Sequence, residues 1–475
     1  MTTLLKPDIC VIGAGSGGLS VAAAAAAFGV SVVLIERGRM GGDCLNYGCV
    51  PSKAMLAAAR HASAIADSGA FGVSAAEPQV DFRKVMRHVH AVIAAIAPND
   101  SVERFTALGV RVIEGEARFA DRRTVEVGDI EVRARRFVLA TGSSPMVPPI
   151  EGLSDVPFLT NETVFEQQRR PGHLVVIGGG PIGLELAQAH RRLGAAVTVV
   201  EAARALGRDD PELAAHVLDR LRAEGIAIHE QTAVRRVEKR GRSGVRLHVE
   251  GAGGAATIDG THLLVAAGRT PNIAALDLGK AGIAHDAGGV RVDAKLRTGN
   301  RRVYAIGDVA GGLQFTHVAN YHAGLVLRAL LFRLPARENR AIVPWATYTD
   351  PELAHVGLDE AAARRKHGTI RVLRWPFAEN DRAQAERRTD GFLKMVTDRR
   401  GRILGVSIVG AQAGEAINMW ALAVAQKLTV RDVAGYVAPY PTMAEAGKRA
   451  AISYFSDAPR RPVVRAAVRF LRLFG

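Results

Sequence analysis

One arrangement occurs twice in this chain and constrains its fold more than any other feature. Asp8-Ile9-Cys10-Val11-Ile12 is a short apolar run that ends in Gly13-Ala14-Gly15-Ser16-Gly17-Gly18. Alanines from Ala22 to Ala27 follow, which favour a helix. Val30–Ile35 then reads as a second buried strand, ending at Glu36. Strand, glycine-rich turn, helix, strand and acid together form a βαβ dinucleotide fingerprint. Gly13, Gly15 and Gly18 let backbone approach a pyrophosphate on the helix N-terminus, and Glu36 accepts from a ribose hydroxyl. The pattern returns at Leu174–Ile177, Gly178-Gly179-Gly180-Pro181-Ile182-Gly183, a helix over Leu184–Leu193, and Val197–Val200 ending at Glu201. Two dinucleotide sites in one chain imply electron transfer between two bound dinucleotides. Three more apolar strands end in small-residue turns, at Thr141-Gly142, Gly268-Arg269 and Gly307-Asp308.

At roughly 150 residues per domain, 475 residues suggest about three domains. Proline-rich and polar punctuation divides them into 1–150, 151–272, a return segment 273–338, an interface domain 339–458 and a tail 459–475. The expected class is α/β: two Rossmann-like domains and a C-terminal α+β domain. Strand-like runs at Leu393–Thr397 and Ile403–Ile408 and a helical stretch Glu415–Gln426 mark the last. A chain 48% hydrophobic and 23% charged packs a core and excludes disorder. The formal charge of +15 permits anionic partners, but no basic-aromatic stripe points to nucleic acid. Three cysteines exclude a disulfide scaffold, and no stretch is apolar enough to span a bilayer. A strand-like start at Asp8 argues against a signal peptide, so a cytoplasmic enzyme is expected.

Gly41-Gly42-Asp43-Cys44-Leu45-Asn46-Tyr47-Gly48-Cys49-Val50-Pro51-Ser52-Lys53 carries the chemistry. Two cysteines on one expected helix come within disulfide reach if its turn is distorted. In a reducing compartment such a pair is catalytic more often than structural. A helix N-terminus and the Lys53 ammonium both stabilise a thiolate. Half of a zinc site and a pair of buried free thiols are the other readings, and no second ligand pair accompanies the first. Cys10, inside a strand, reads as a small core residue.

From Asp8 to about Phe455 the chain resembles the class I pyridine nucleotide–disulfide oxidoreductases, which include glutathione reductase, lipoamide dehydrogenase and mercuric reductase. The resemblance rests on Gly-Gly-x-Cys-x4-Cys-x-Pro-Ser-Lys, both fingerprints and Ile306-Gly307-Asp308, in that order. It implies FAD, a nicotinamide and a homodimer. FAD contacts would fall to Gly13, Gly15, Gly18, Glu36, Gly42, Lys53, Thr141, Gly142 and Asp308, the last on the ribityl chain. Gly178, Gly180, Gly183, Glu201 and Gly268 would serve the nicotinamide dinucleotide. Cys49 would be the thiolate in charge-transfer contact with the flavin, and Cys44 the interchange thiol. Lys53 would sit near the flavin ring, paired with Glu185. Glu201 suits an unphosphorylated ribose and favours NADH, although Arg204 and Arg208 could reach the phosphate of NADPH.

The family's disulfide reductases carry a His base that serves the other subunit in a segment reading here Pro439-Tyr440-Pro441-Thr442-Met443-Ala444-Glu445. Tyr440 stands where the His would be, and Glu445 remains. A phenol with an ordinary pKa near 10 is a poor base at neutral pH. Mercuric reductase is similar in having Tyr here, but its C-terminal cysteine pair has no counterpart after Cys49. Mercuric ion is therefore the best single acceptor, with a small disulfide, lipoamide included, or a quinone as alternatives. Tyr440 could instead pack at the dimer interface, and its bond to Pro441 is expected to be cis. His317 and His322 read as structural.

In the tail, helical spacing places Arg461, Arg465, Arg469 and Arg472 on one face. Val463, Ala467, Phe470, Leu471 and Phe474 share the opposite one. Peripheral membrane contact, delivering electrons to a membrane partner, and packing on the protein itself are the competing readings.

Overall fold

The computed structural model describes residues 3–241 and 244–474, so Gly475 of the tail and residues 1, 2, 242 and 243 lie outside the described residues. Contacts divide the chain into two compact units. The first comprises residues 1–204 and 225–338, the second 205–224 and 339–475.

Two parallel sheets organise the first unit. One has the order Val303–Ala305, Arg136–Leu139, Ile9–Ile12, Val32–Glu36 and Val110–Glu114. The other runs Ala227–His229, Ala196–Val200, His173–Ile177 and His262–Val265. Ile9–Ile12 is buried at every position, as a strand covered on both faces must be. Cys10 lies fully buried there, as expected of a small core residue. Each first strand passes through a glycine turn into a helix, Ser16–Ala27 or Pro181–Arg192. An antiparallel sheet of Ala233–Arg240, Gly244–Gly251 and Gly254–Gly260 interrupts the second βαβ layer.

The second unit is built on an antiparallel sheet. Its order is Trp345–Thr347, Glu352–Gly357, Ile403–Gly410, Phe392–Asp398 and Ile370–Pro376. Helix Ala413–Ala425 sets the buried Trp420 into its core. Gly447 allows a neighbouring helix to approach that indole, because a Cβ there would lie 2.1 Å from Trp420 Cζ2. Segment 205–224, which punctuation assigns to 151–272, packs in this unit instead. Lys394, 5% exposed, holds it there through Asp210 at 2.7 Å and Glu212 at 2.9 Å, with Glu360 at 2.9 Å from its own unit's helix.

Candidate active site

The two fingerprints are built alike to the atom. A Cβ on Gly18 would sit 1.8 Å from Gly13 O, and one on Gly183 would sit 2.1 Å from Gly178 O, so only glycine lets each helix start there. Gly13 and Gly178 in turn press on the carbonyls of Ala140 and Ala266. Gly15 and Gly180 are the helix N-caps, and a Cβ on either would meet no protein atom within 4 Å. The space over both helix N-termini is therefore open to a phosphate. Glu36 accepts from Ala14 N at 2.6 Å and Gly38 N at 2.7 Å. Glu201 accepts from Gly179 N at 2.7 Å and Ala203 N at 2.8 Å. Both carboxylates are thus aimed beside a phosphate cradle, where a ribose diol would meet them. Gly42 packs over Gly15, to whose Cα a Cβ would come within 2.7 Å.

The turns behind the cradles are tied together. Thr141 Oγ1 donates to Asn272 O at 2.8 Å, Asn272 N to Gly142 O at 3.0 Å, and Met146 N to Gly268 O at 2.9 Å. Arg269, next to Gly268, reaches Asp43 at 3.2 Å and Asp308 at 3.7 Å and donates to Ser143 Oγ at 2.7 Å. Ser143 Oγ donates to Asp308 Oδ2 at 2.5 Å. Burial pushes the Asp308 carboxyl above its ordinary range, opposed by the serine bond and the guanidinium. Sequence reasoning missed Arg269, Ser143 and Asp43 as a network, because the partners lie far apart in the chain. With its open cradles, aimed acids and anchored Asp308, this residue set fits an extended dinucleotide such as FAD.

The cysteines do not share one helix. Cys44 lies on the short helix Gly42–Asn46, and Cys49 opens the next, Cys49–Ala66. The break falls at Tyr47-Gly48, where Gly48 presses on Asp43; a Cβ would stand 2.9 Å from its Oδ2. Asn161 holds the other carboxylate oxygen at 3.1 Å. This break folds the two free thiols together so that Cys44 donates to Cys49. That bond, with help from Thr316 Oγ1 at 3.4 Å and the Lys53 ammonium, lowers the Cys49 thiol to about 6, despite burial and Asp43. The same bond and burial push the Cys44 thiol far up. Near neutral pH this favours the Cys49 thiolate. Thr316 begins helix Thr316–Leu331, and nothing in its local sequence marks it.

Lys53, one turn beyond Cys49, places Nζ 2.8 Å from Glu185 Oε2. Glu185 is buried on the second fingerprint helix. His322 is buried between Gly307 N and Glu338 Oε1, a structural role. His317 stacks on Phe315 with ring centroids 5.3 Å apart.

In the second unit the Tyr440-Pro441 bond is cis, as expected. Tyr440 is 67% exposed and donates to Asp381 Oδ2 at 2.7 Å. That bond and the carboxylate charge raise the phenol above its ordinary pKa, away from basicity. Glu445 holds Arg449 at 2.8 Å, so Asp381, and not Glu445, orients Tyr440.

Residues 7–323 match the family model described as pyridine nucleotide-disulphide oxidoreductase, and 343–451 match its dimerisation domain. The chain is 37% identical to the mercuric reductase of Streptomyces lividans, over 95% of this chain and 96% of the relative. It is 33% identical to the dihydrolipoyl dehydrogenase of Geobacillus stearothermophilus, over 94% and 96% respectively. An HOCl-induced flavoprotein disulfide reductase from Escherichia coli, solved as a Cu(II) complex, superposes with a TM-score of 0.85 at 29% identity, covering 94% of this chain and 99% of that one. The dimerisation match supports a homodimer. The chain therefore belongs to the pyridine nucleotide–disulfide oxidoreductases, enzymes that work with FAD and NAD(P)H.

Proposed function

We propose that this enzyme takes electrons from a nicotinamide, NADH by preference, and delivers them through Cys44 and Cys49 to a thiol-reactive acceptor, mercuric ion first. One observation carries the choice: the phenol at Tyr440 donates its proton to Asp381 and is no base. FAD, when bound, accepts two electrons from the nicotinamide and passes them on beyond it. The chain's own residues do the rest. Gly15, Glu36 and Asp308 would bind and orient that group, and Gly180 and Glu201 would hold the nicotinamide dinucleotide. The Lys53 ammonium, kept charged and aimed by Glu185, favours electron-rich neighbours.

Cys44 keeps its proton, donated to Cys49, and an attack on a disulfide would require a base to remove it. The family's pattern sends Tyr440 to the other subunit's cysteine pair, and there this phenol offers no such base. A soft metal ion needs none, because coordination itself displaces the thiol proton. The net reaction balances as NADH and mercuric ion giving NAD+, the neutral metal atom and one proton. The mercuric reductase relatives support this reading. The dihydrolipoyl dehydrogenase relatives favour lipoamide as the second acceptor.

Oxidation of NADH and NADPH by the holoenzyme, followed at 340 nm, roughly the nicotinamide absorbance, tests this against Hg(II), lipoamide and glutathione disulfide. Turnover with Hg(II) at least about a hundredfold above either disulfide supports the proposal, since that is the scale of a missing general base. Faster turnover with lipoamide overturns it in favour of the second reading.

A further inference from the structure

The helix Pro462–Leu471 lies beyond both family matches, the second of which ends at residue 451. Arg461, Arg465, Arg469 and Arg472 fall on one stripe, and Arg460 adds a fifth cation just before it. No Asp or Glu occurs from Ala458 to Phe474. A helix packed on its own domain would bury the opposite arc. Here Val463 is 80% exposed, Leu471 63% and Phe474 75%, and Phe470 meets Phe474 edge-on at 5.1 Å.

Charge decides what suits this face. A second copy of the helix would bring five more guanidiniums and no carboxylate to neutralise them. An anionic lipid surface supplies hydrocarbon for the apolar arc and phosphate for the guanidiniums, which bind it bidentately. Arginine stems can lie along the apolar boundary while their heads reach phosphate. Ten residues span about 15 Å, enough to lie in the interface and too short to cross it. We propose that this helix, with Arg472 to Phe474, docks the enzyme on an anionic phospholipid surface, whatever acceptor it reduces.

The test is co-sedimentation of the holoenzyme with vesicles of phosphatidylcholine alone or mixed with phosphatidylglycerol. The enzyme should pellet with the anionic vesicles and be released by salt. Each arginine lost should weaken partitioning about fivefold, so Arg465→Gln, Arg469→Gln and Arg472→Gln together should weaken it about a hundredfold. Phe470→Ser with Phe474→Ser should also release it, and NADH oxidation in solution should be unchanged in both variants. Wild-type enzyme left in the supernatant, or a triple variant that binds equally, would overturn the proposal. So would dissociation of the dimer by the phenylalanine changes, seen by light scattering, because a second copy would then cover the face.

Discussion

Lys53 Nζ lies 2.8 Å from Glu185 Oε2, a bond between the cysteine helix and the helix that opens the second dinucleotide fold. One end stands a turn from Cys49, and the other is buried on the helix Pro181–Arg192. The pair thus ties the cysteine helix to the second dinucleotide fold through an ion pair. Glu185→Gln removes the carboxylate charge beside the Lys53 ammonium and should lower turnover by about a hundredfold, the scale of losing one preorganised electrostatic group. Flavin content should stay constant, because Glu185 belongs to neither the Gly15 cradle nor Asp308. Stopped-flow reduction by NADH checks both halves of that expectation.

Cys49 should alkylate with an inflection near pH 6, following its lowered thiol, while Cys44 stays unreactive through neutral pH. A thiol that is depressed in the fold stabilises it above the ordinary value of 9.0 and loses that contribution as pH falls through about 6. Thr316→Val removes one donor to the thiolate and should move the inflection upward, and Thr316→Ser should leave it in place. Iodoacetamide rates across pH, with peptide mapping, distinguish these outcomes. An unchanged inflection in Thr316→Val would remove the residue from the site.

The glycine spacings, Glu36, Glu201 and the cysteine pair are legible in sequence because their geometry is set within about thirty residues of chain. The matching backbone bonds to Glu36 and Glu201 show how completely such local rules act. Arg269, Thr316 and Asp381 were not legible. Each acquires its role from a partner 39 to 267 positions away, through tertiary contacts that no local period encodes. The single-helix reading of the cysteines failed for a local reason. Gly48 against Asp43 breaks the helix, and glycine spacing alone does not say which way a turn will bend. Segment 205–224 left its sequence neighbours because Lys394, buried in a strand of the second unit, requires its carboxylates.

That lysine makes a stability prediction. Lys394→Ala removes the cation that Asp210, Glu212 and Glu360 share, while Arg374 stays on Glu212 and Arg364 on Glu360, and should cost about 2–3 kcal/mol in urea unfolding. The figure falls below that of a fully buried pair because Glu212 is 39% exposed. Glu212 is held down to about 2 from its ordinary 4.5 by Arg374 and Lys394. Its contribution is complete above pH 4.5 and lost as pH falls toward 2. Wild-type stability should therefore fall across that window more steeply than in Lys394→Ala. Parallel acid titrations followed by circular dichroism would show it.

Tyr440→His tests what the phenol withholds. An imidazole there would meet Asp381, the carboxylate that now accepts the phenol proton, and would titrate near neutrality, as a base for thiol exchange must. Lipoamide and glutathione disulfide turnover should rise by about 10- to 100-fold, short of a full general-base effect because Glu445 is committed to Arg449. The gain should follow a single pH inflection near that of histidine, and Asp381→Asn in the same background should reduce it by leaving the ring unaimed. Turnover with Hg(II) should not rise if, as proposed, coordination by the two sulfurs displaces the Cys44 proton without a base. Steady-state rates for all three acceptors across pH 5 to 9, roughly the range in which an imidazole titrates, check the prediction. Native lipoamide turnover that is already high and unmoved by Tyr440→His would make the phenol a packing residue of the interface. The chain would then rank with the ordinary disulfide reductases.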